Sequence, residues 1–239
     1  MKYLDLTLPT PEANLACDEA LLDACEAGAL GDLLRVWESP IPFVALGYSN
    51  RVDREVYRGA CQTLRIPILR RCSGGGTVLQ GPGCLNFSLI FQIQSSKPLG
   101  NLKELTCSIL QKHCQALEPL AGAPIEIQGQ SDLALGELKF SGSAQRWKQR
   151  AMLFHGTFLL SLDMALVEAL LPLPSIEPSY RRGRSHRDFL TNLPLNAHQI
   201  KGALRSVWGA AETLTDIPHE RMAELVRLRY ATQGWNFRF

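Results

Sequence analysis

"RRCSGGGTVLQGPGCLNFSLI", residues 70–90, sets three consecutive glycines between a pair of arginines and an apolar, β-rich run. Glycine inside a strand costs folding entropy and leaves nothing to pack, so a cluster of three requires a reason. One reason is a tight turn between a strand that ends near Arg71 and another that begins near Thr77. The other is a backbone that something must approach closely, with its N–H groups offered to an anion. No Gly-Lys-Ser/Thr follows, which excludes a Walker P-loop, and no helix opens on a G-x-G-x-x-G, which excludes the dinucleotide fingerprint. A strand follows instead.

Around this segment, short strand-like runs alternate with amphipathic helices, without repeats or low-complexity tracts. Residues 2–8 read as a strand, and the apolar spacing from Pro11 to Ala27 is helical, stopped by Gly28. "LLRVWES" and "PFVALGY" read as two strands joined by Pro40-Ile41-Pro42. Residues 53–64 read as one helix, "IPILRR" as the strand entering the glycines, "CLNFSLIFQI" as a long strand and 101–117 as a helix. The stretch 131–162 gives three strands with turns at Gly136 and near Trp147. Beyond Asp163 the pattern turns helical, over 163–170, 196–208 and 217–232. The run "EPSYRRGRSHRD" (177–188), with arginines at 181, 182, 184 and 187, reads either as a mobile basic loop or as a solvated charge run. These pieces predict an α+β (mixed α/β) fold, a mixed β-sheet flanked by helices, in one domain over residues 1–239.

The chain has 239 residues, 46% of them apolar and 20% charged, which is the composition of a globular protein with a sizeable core. A formal charge of +2 gives no signal for nucleic acid. The N-terminal "MKYLDLTLPTPE" meets acid and proline before any apolar run, so it is no secretory signal. No apolar stretch approaches the roughly 18 residues of a membrane span. Seven scattered cysteines (17, 25, 61, 72, 84, 107, 114), none in a C-x-x-C, read as free thiols in a reducing, cytoplasmic compartment rather than as a zinc site or disulfide framework.

Four residues stand out chemically. Lys139 sits in a strand-like run and is followed at once by Ser141, Gly142, Ser143 and Ala144, which clear space beside an ammonium. It is either a solvated outer-face residue or a ligand contact. His155, in "MLFHGTFLL", is either a core histidine or part of an apolar pocket. Asp132 heads a strand as a turn cap, a metal neighbour or a lysine partner. Trp37 shares a strand face with Arg35 and is either core or ligand contact.

Separately these signals are weak, but their order is distinctive. "NLACDEALL" (14–22), "RVWES" (35–39), "RRCSGGGTV" (70–78), "SDL" (131–133) with "LKFSGSAQR" (138–146), "FHGTFLL" (154–160) and "GWNF" (234–237) occur in one chain. From about residue 14 to the C-terminus the sequence resembles the catalytic domain of the lipoate–protein ligase family, related to octanoyltransferases and biotin–protein ligases. The resemblance implies a biotin/lipoyl-ligase-like fold and ATP-dependent activation of lipoate or octanoate to an acyl-adenylate. Transfer then follows to a lysine of a lipoyl domain, in 2-oxoacid dehydrogenases or glycine cleavage H-type proteins.

By the motif match, Arg71, Ser73, Gly74, Gly75 and Gly76 wrap the acyl chain and adenylate phosphate, with Val78, Gln80 and Cys84 following on the same segment. Lys139 becomes the catalytic lysine that touches phosphate and acyl carbonyl, beside Gly142, Ser143 and Ala144. Asp132 becomes the acid near the lysine and the adenosine end, a possible neighbour of Mg²⁺. His155 and Trp37 line the acyl pocket. The implied cofactors are ATP and Mg²⁺, with lipoate as substrate and no tightly bound group.

Two departures carry weight. Relatives often have histidine where this chain has Gln80. Many full ligases also carry a further C-terminal domain that is absent here, so a separate accessory ligase chain becomes an expected partner. The alternative activity is octanoyl transfer from acyl carrier protein through a cysteine thioester, without ATP. The two positions where relatives place that cysteine hold Gln128-Gly129-Gln130 and a cysteine-free C-terminal half. Cys72 and Cys84 border the glycines without matching either.

Overall fold

A computed structural model describes residues 1–93 and 102–239. The chain runs β1 (Lys2–Asp5), α1 (Pro11–Glu26), β2 (Leu33–Glu38), β3 (Phe43–Leu46), α2 (Val52–Glu55), α3 (Arg58–Thr63), β4 (Ile68–Arg70), β5 (Val78–Gln80) and β6 (Cys84–Gln92). It continues as α4 (Leu102–Ala121), β7 (Glu126–Gln128), β8 (Asp132–Leu135), β9 (Leu138–Trp147), β10 (Ala151–Leu159) and α5 (Met164–Leu170). Last come α6 (His186–Phe189), α7 (Ala197–Val207), β11 (Glu212–Thr213), α8 (His219–Leu225) and α9 (Gln233–Asn236). The start of the helix expected over 101–117 falls at Asn101, outside the described residues; the helix itself runs on to Ala121.

Eight strands form one mixed sheet in the order β11-β1-β2-β6-β10-β9-β8-β7, parallel from β11 to β2 and antiparallel beyond. Period-two alternation gives the sheet two apolar faces. Leu34, Val36, Phe87, Leu89, Phe154 and Phe158 pack under α4 and α7, with Ile109, Leu117, Ile200 and Leu204. On the other face Leu33, Ile90 and Leu153 meet α1 through Leu15, Ala16, Ala20 and Leu21. Helix α1 starts on Pro11 behind a Thr10 cap, whose side chain accepts from the Ala13 N–H, and ends before Gly28 at φ +78°.

Toward the N-terminal half of α1, where Asn14 and Asp18 meet Arg35, the same sheet face turns polar. In register across β2, β6 and β10 lie Arg35, Ser88 and His155, then Trp37, Asn86 and Thr157. A second sheet, β4-β3-β5, stands over this region. The two strands expected on either side of Pro40-Ile41-Pro42 are β2 and β3, and the structure adds that they belong to different sheets. The helix expected over 53–64 is two short helices, broken where Val56 is extended. The helix expected over 217–232 begins at His219 and passes into a π-helical turn over Val226–Tyr230.

Candidate active site

Between the two sheets lies a cavity of about 690 Å³. Its walls include Leu15, Trp37, Phe43, Ala45 and Val78 on one side and Asp132, Lys139, Gly142, Ser143 and Ala144 on the other. A β-bulge places the lysine there. Leu133 pairs Ser141 but Ala134 pairs Lys139, so Phe140 is the extra residue. The bulge buries Phe140 in the core beneath α4 and leaves Lys139 on the cavity side with Gly142.

Lys139 Nζ is 2.8 Å from Asp132 Oδ1, with the lysine side chain 23% exposed and the aspartate 10%. The other oxygen, Oδ2, accepts from the Tyr180 hydroxyl at 2.9 Å. Gly142 makes the arrangement possible: a Cβ there would lie 2.8 Å from Lys139 Nζ and 2.9 Å from Cε. Asp132, expected as a possible neighbour of magnesium, thus has both oxygens engaged by protein donors. Among the described residues no group of three or more His, Cys, Asp or Glu converges on a metal site. The donor set does not fit a resident cation.

The glycine segment is organised by Arg71. Its Nη2 donates to the Gly74 carbonyl at 2.7 Å and to Gly76 at 2.9 Å, and Nε adds a bond to Gly74 at 3.1 Å. The loop therefore wraps its own guanidinium, which burial brings down to about 10. Gly75 sits at φ +87°, and a Cβ there would be 2.8 Å from Arg71 Nη2 and 3.4 Å from Ala144 Cβ. Gly47, which sequence reasoning passed over, is also forced, since its Cβ would fall 2.0 Å from the Gly75 carbonyl oxygen. Arg70 has a different task from its neighbour. Fully buried, it donates to the carbonyls of Gly47, Tyr48 and Asn50 and to those of Trp235 and Asn236. It ties the glycine segment to the C-terminal "GWNF".

Ser73 and Gly74 do not line the cavity; they act through neighbours, Gly74 by holding Arg71 and Ser73 by its hydroxyl, 2.5 Å from His155 Nε2. His155 does line it, and its Nδ1 lies 3.8 Å from Asp18 Oδ2. Burial pushes the His155 pKa down against the pull of Asp18, so the ring is neutral at neutral pH. Asp18 is paired with the buried Arg35 at 2.6 Å; burial would raise its carboxyl, but Arg35 and His155 outweigh that and hold it below the ordinary range. Asp18 is a site residue that helix periodicity hides, because it lies on the buried face of α1. Gln80 donates to Thr157 Oγ1 at 2.6 Å, and Thr157 donates to Asn86 at 2.6 Å. The Gln80 NH2 group is thereby engaged within the wall, while its Oε1 is buried without a hydrogen-bond partner among the described residues.

Cys84 departs from its expected place. It is fully buried among Val44, Leu79 and Leu159, outside the cavity lining. Cys72 is buried in the core beside α1. Burial pushes both thiols up to about 12. The basic run 177–188 is only in part a solvated face: Arg182 and Arg187 are exposed, whereas Arg181 is buried against the Phe189 ring, and Ser179, Arg181 and His186 line the cavity.

A cavity with apolar walls, bordered by glycines and ending on one paired lysine, is the candidate active site. Residues 10–200 match the family described as lipoyl protein ligase A/B catalytic domain. Lipoate–protein ligase 1 of Staphylococcus aureus is 29% identical over 99% of this chain and 73% of its own length. Octanoyltransferase LipM of Halalkalibacterium halodurans is 24% identical over 99% of this chain and 98% of its own. The bi-partite lipoate protein ligase of Thermoplasma acidophilum, solved in a study that includes its E2 lipoyl domain, superposes with a TM-score of 0.82 at 22% identity, over 99% of this chain and 95% of that one. The chain belongs to the lipoyl protein ligase A/B catalytic domain family. No helix among the described residues is long and apolar enough to cross a membrane.

Proposed function

We propose that this enzyme is a lipoate–protein ligase, which activates lipoate or octanoate with ATP and transfers the acyl group to a lysine of a lipoyl domain. A carboxylate oxygen of the acid attacks the α-phosphorus, and the bond to pyrophosphate breaks. The amine of the acceptor lysine then attacks the acyl carbonyl, AMP leaves, and the amine gives up a proton. Lys139 supplies the fixed cation toward which negative charge grows in both steps. The glycine loop admits the acyl chain, and neutral His155 with Trp37 borders it. Any Mg²⁺ would be held by the nucleotide's phosphates, its usual mode of binding, and would offset their charge. Acceptors are lipoyl domains of 2-oxoacid dehydrogenases or glycine cleavage H-type proteins, and the bi-partite relative supports an accessory chain as a further partner.

The observation that carries this reading is the Lys139–Asp132 pair at 2.8 Å beside Gly142, on a cavity wall without a thiolate. The octanoyltransferase reading draws support from the LipM relative, which matches over nearly its whole length. A thioester mechanism, however, needs a thiolate within reach of the acyl carbonyl, and the thiols nearest the glycines are buried and hold their protons far above neutral pH.

The test is incubation with ATP, lipoate and an apo-lipoyl domain, read as pyrophosphate release and acceptor mass. In the same assay the Cys72→Ala, Cys84→Ala and double variants are expected to retain at least about half of the ATP-dependent transfer, because an adenylate is already activated and needs no protein nucleophile. An octanoylated enzyme detected by mass spectrometry and lost in either variant would replace the ligase by the transferase.

A further inference from the structure

The arginine-rich run 177–188 is braced from within. Arg184 donates to the carbonyls of Tyr180 and Arg181, Arg181 donates back to Arg184, and the Gly183 N–H donates to Glu177. The strap also grips Lys139 at two places. Just past its far end Leu190 bridges to Lys139, and the Thr191 N–H donates to the Lys139 carbonyl at 2.9 Å. At its near end the Tyr180 hydroxyl donates to the aspartate that holds the lysine's ammonium.

From this geometry we infer that Tyr180 is a positioning residue, whose hydroxyl turns Asp132 so that Oδ1 fixes Lys139 Nζ in the cavity. The inference rests on the ligase reading only for the reaction in which Lys139 is used. The tyrosine ring packs on Phe189, with centroids 5.1 Å apart. It also lies over Gly129, at φ +58°, where a Cβ would be 3.5 Å from the ring. Those contacts hold the ring, and phenylalanine would keep them. The hydroxyl is not needed for packing; its work is on Asp132.

An ammonium has three hydrogens. One is spent on Oδ1, and a carboxylate whose second oxygen is already satisfied has no reason to rotate and draw on the others. Two N–H groups thus remain for a ligand's developing charge. Burial, followed by the adjacent Asp132 carboxylate, raises the Tyr180 pKa, so the group remains a donor throughout the neutral range.

The test is Tyr180→Phe, alone and with Asp132→Asn. The kcat for pyrophosphate release is expected to fall about tenfold, the scale of one hydrogen bond to a charged group, with KM for lipoate and ATP within twofold. In the Asp132→Asn background the second substitution is expected to add less than twofold, since Tyr180 acts through Asp132. An additive loss would overturn the inference and leave a merely structural tyrosine.

A second readout needs no turnover: the rate at which an amine-reactive ester acylates Lys139, relative to Lys201, measured by peptide mass spectrometry. Tyr180→Phe is expected to raise this ratio at least threefold as Asp132 loosens. An unchanged ratio overturns the role of Tyr180. Wild-type enzyme that releases no pyrophosphate sinks the ligase reading instead, and the ratio still decides the tyrosine.

Discussion

The Lys139→Ala enzyme is expected to fold as the wild type does and to release pyrophosphate about 10²–10³ times more slowly, the loss that follows when one oriented donor opposite developing charge is removed. The fold survives because the ammonium is partly exposed and because Asp132 keeps the Tyr180 hydroxyl as partner. The core contacts of β9 come from Phe140, which the bulge turns away from the lysine. Circular dichroism and thermal melting check the fold; a continuous pyrophosphate assay checks the rate. A variant with near wild-type release would remove Lys139 from the chemistry.

Gly75→Val is expected to raise KM for the acyl substrate about 30-fold or more while leaving ATP affinity within about threefold, the scale of an overpacked site. A β-branched residue at φ +87° is strained by roughly 1–3 kcal/mol before any contact is counted. Its Cβ would then press on Arg71 Nη2 and pull the guanidinium from the carbonyls of Gly74 and Gly76. Its methyls would close the 3.4 Å gap toward Ala144, across the cavity. Gly74→Ala is the control, since a Cβ there meets nothing within 4 Å; its kinetics are expected to stay within about threefold of wild type. Isothermal titration with lipoate and with ATP separates the cases. Equal weakening of both ligands would return the glycines to the plain-turn reading.

The bare backbone of residues 74–76 was legible because glycine has few uses, and the motif order around it led to the family. Lys139 was legible through the small residues that follow it. The β-bulge that aims it was not, since one extra residue leaves no trace in an alternating pattern. The second sheet was hidden for a related reason. Its strands pair β3 with β4 and β5, and the Pro40-Ile41-Pro42 segment between β2 and β3 looks locally like the link of a hairpin. Arg70 and Arg71 read alike as a pair of charges, yet one carries the C-terminal segment through carbonyls far along the chain and the other the glycine loop through carbonyls three and five residues on. Tyr180 could not be separated from the arginines around it, because its partner Asp132 lies 48 positions away in the chain.

The most direct test of the account is the mass of an apo-lipoyl domain after incubation with this enzyme under two donors. Free lipoate with ATP is expected to yield acylated acceptor together with pyrophosphate, and octanoyl–acyl carrier protein without ATP is expected to yield none. Octanoylation from the carrier protein without ATP, together with no product from lipoate and ATP, would contradict it.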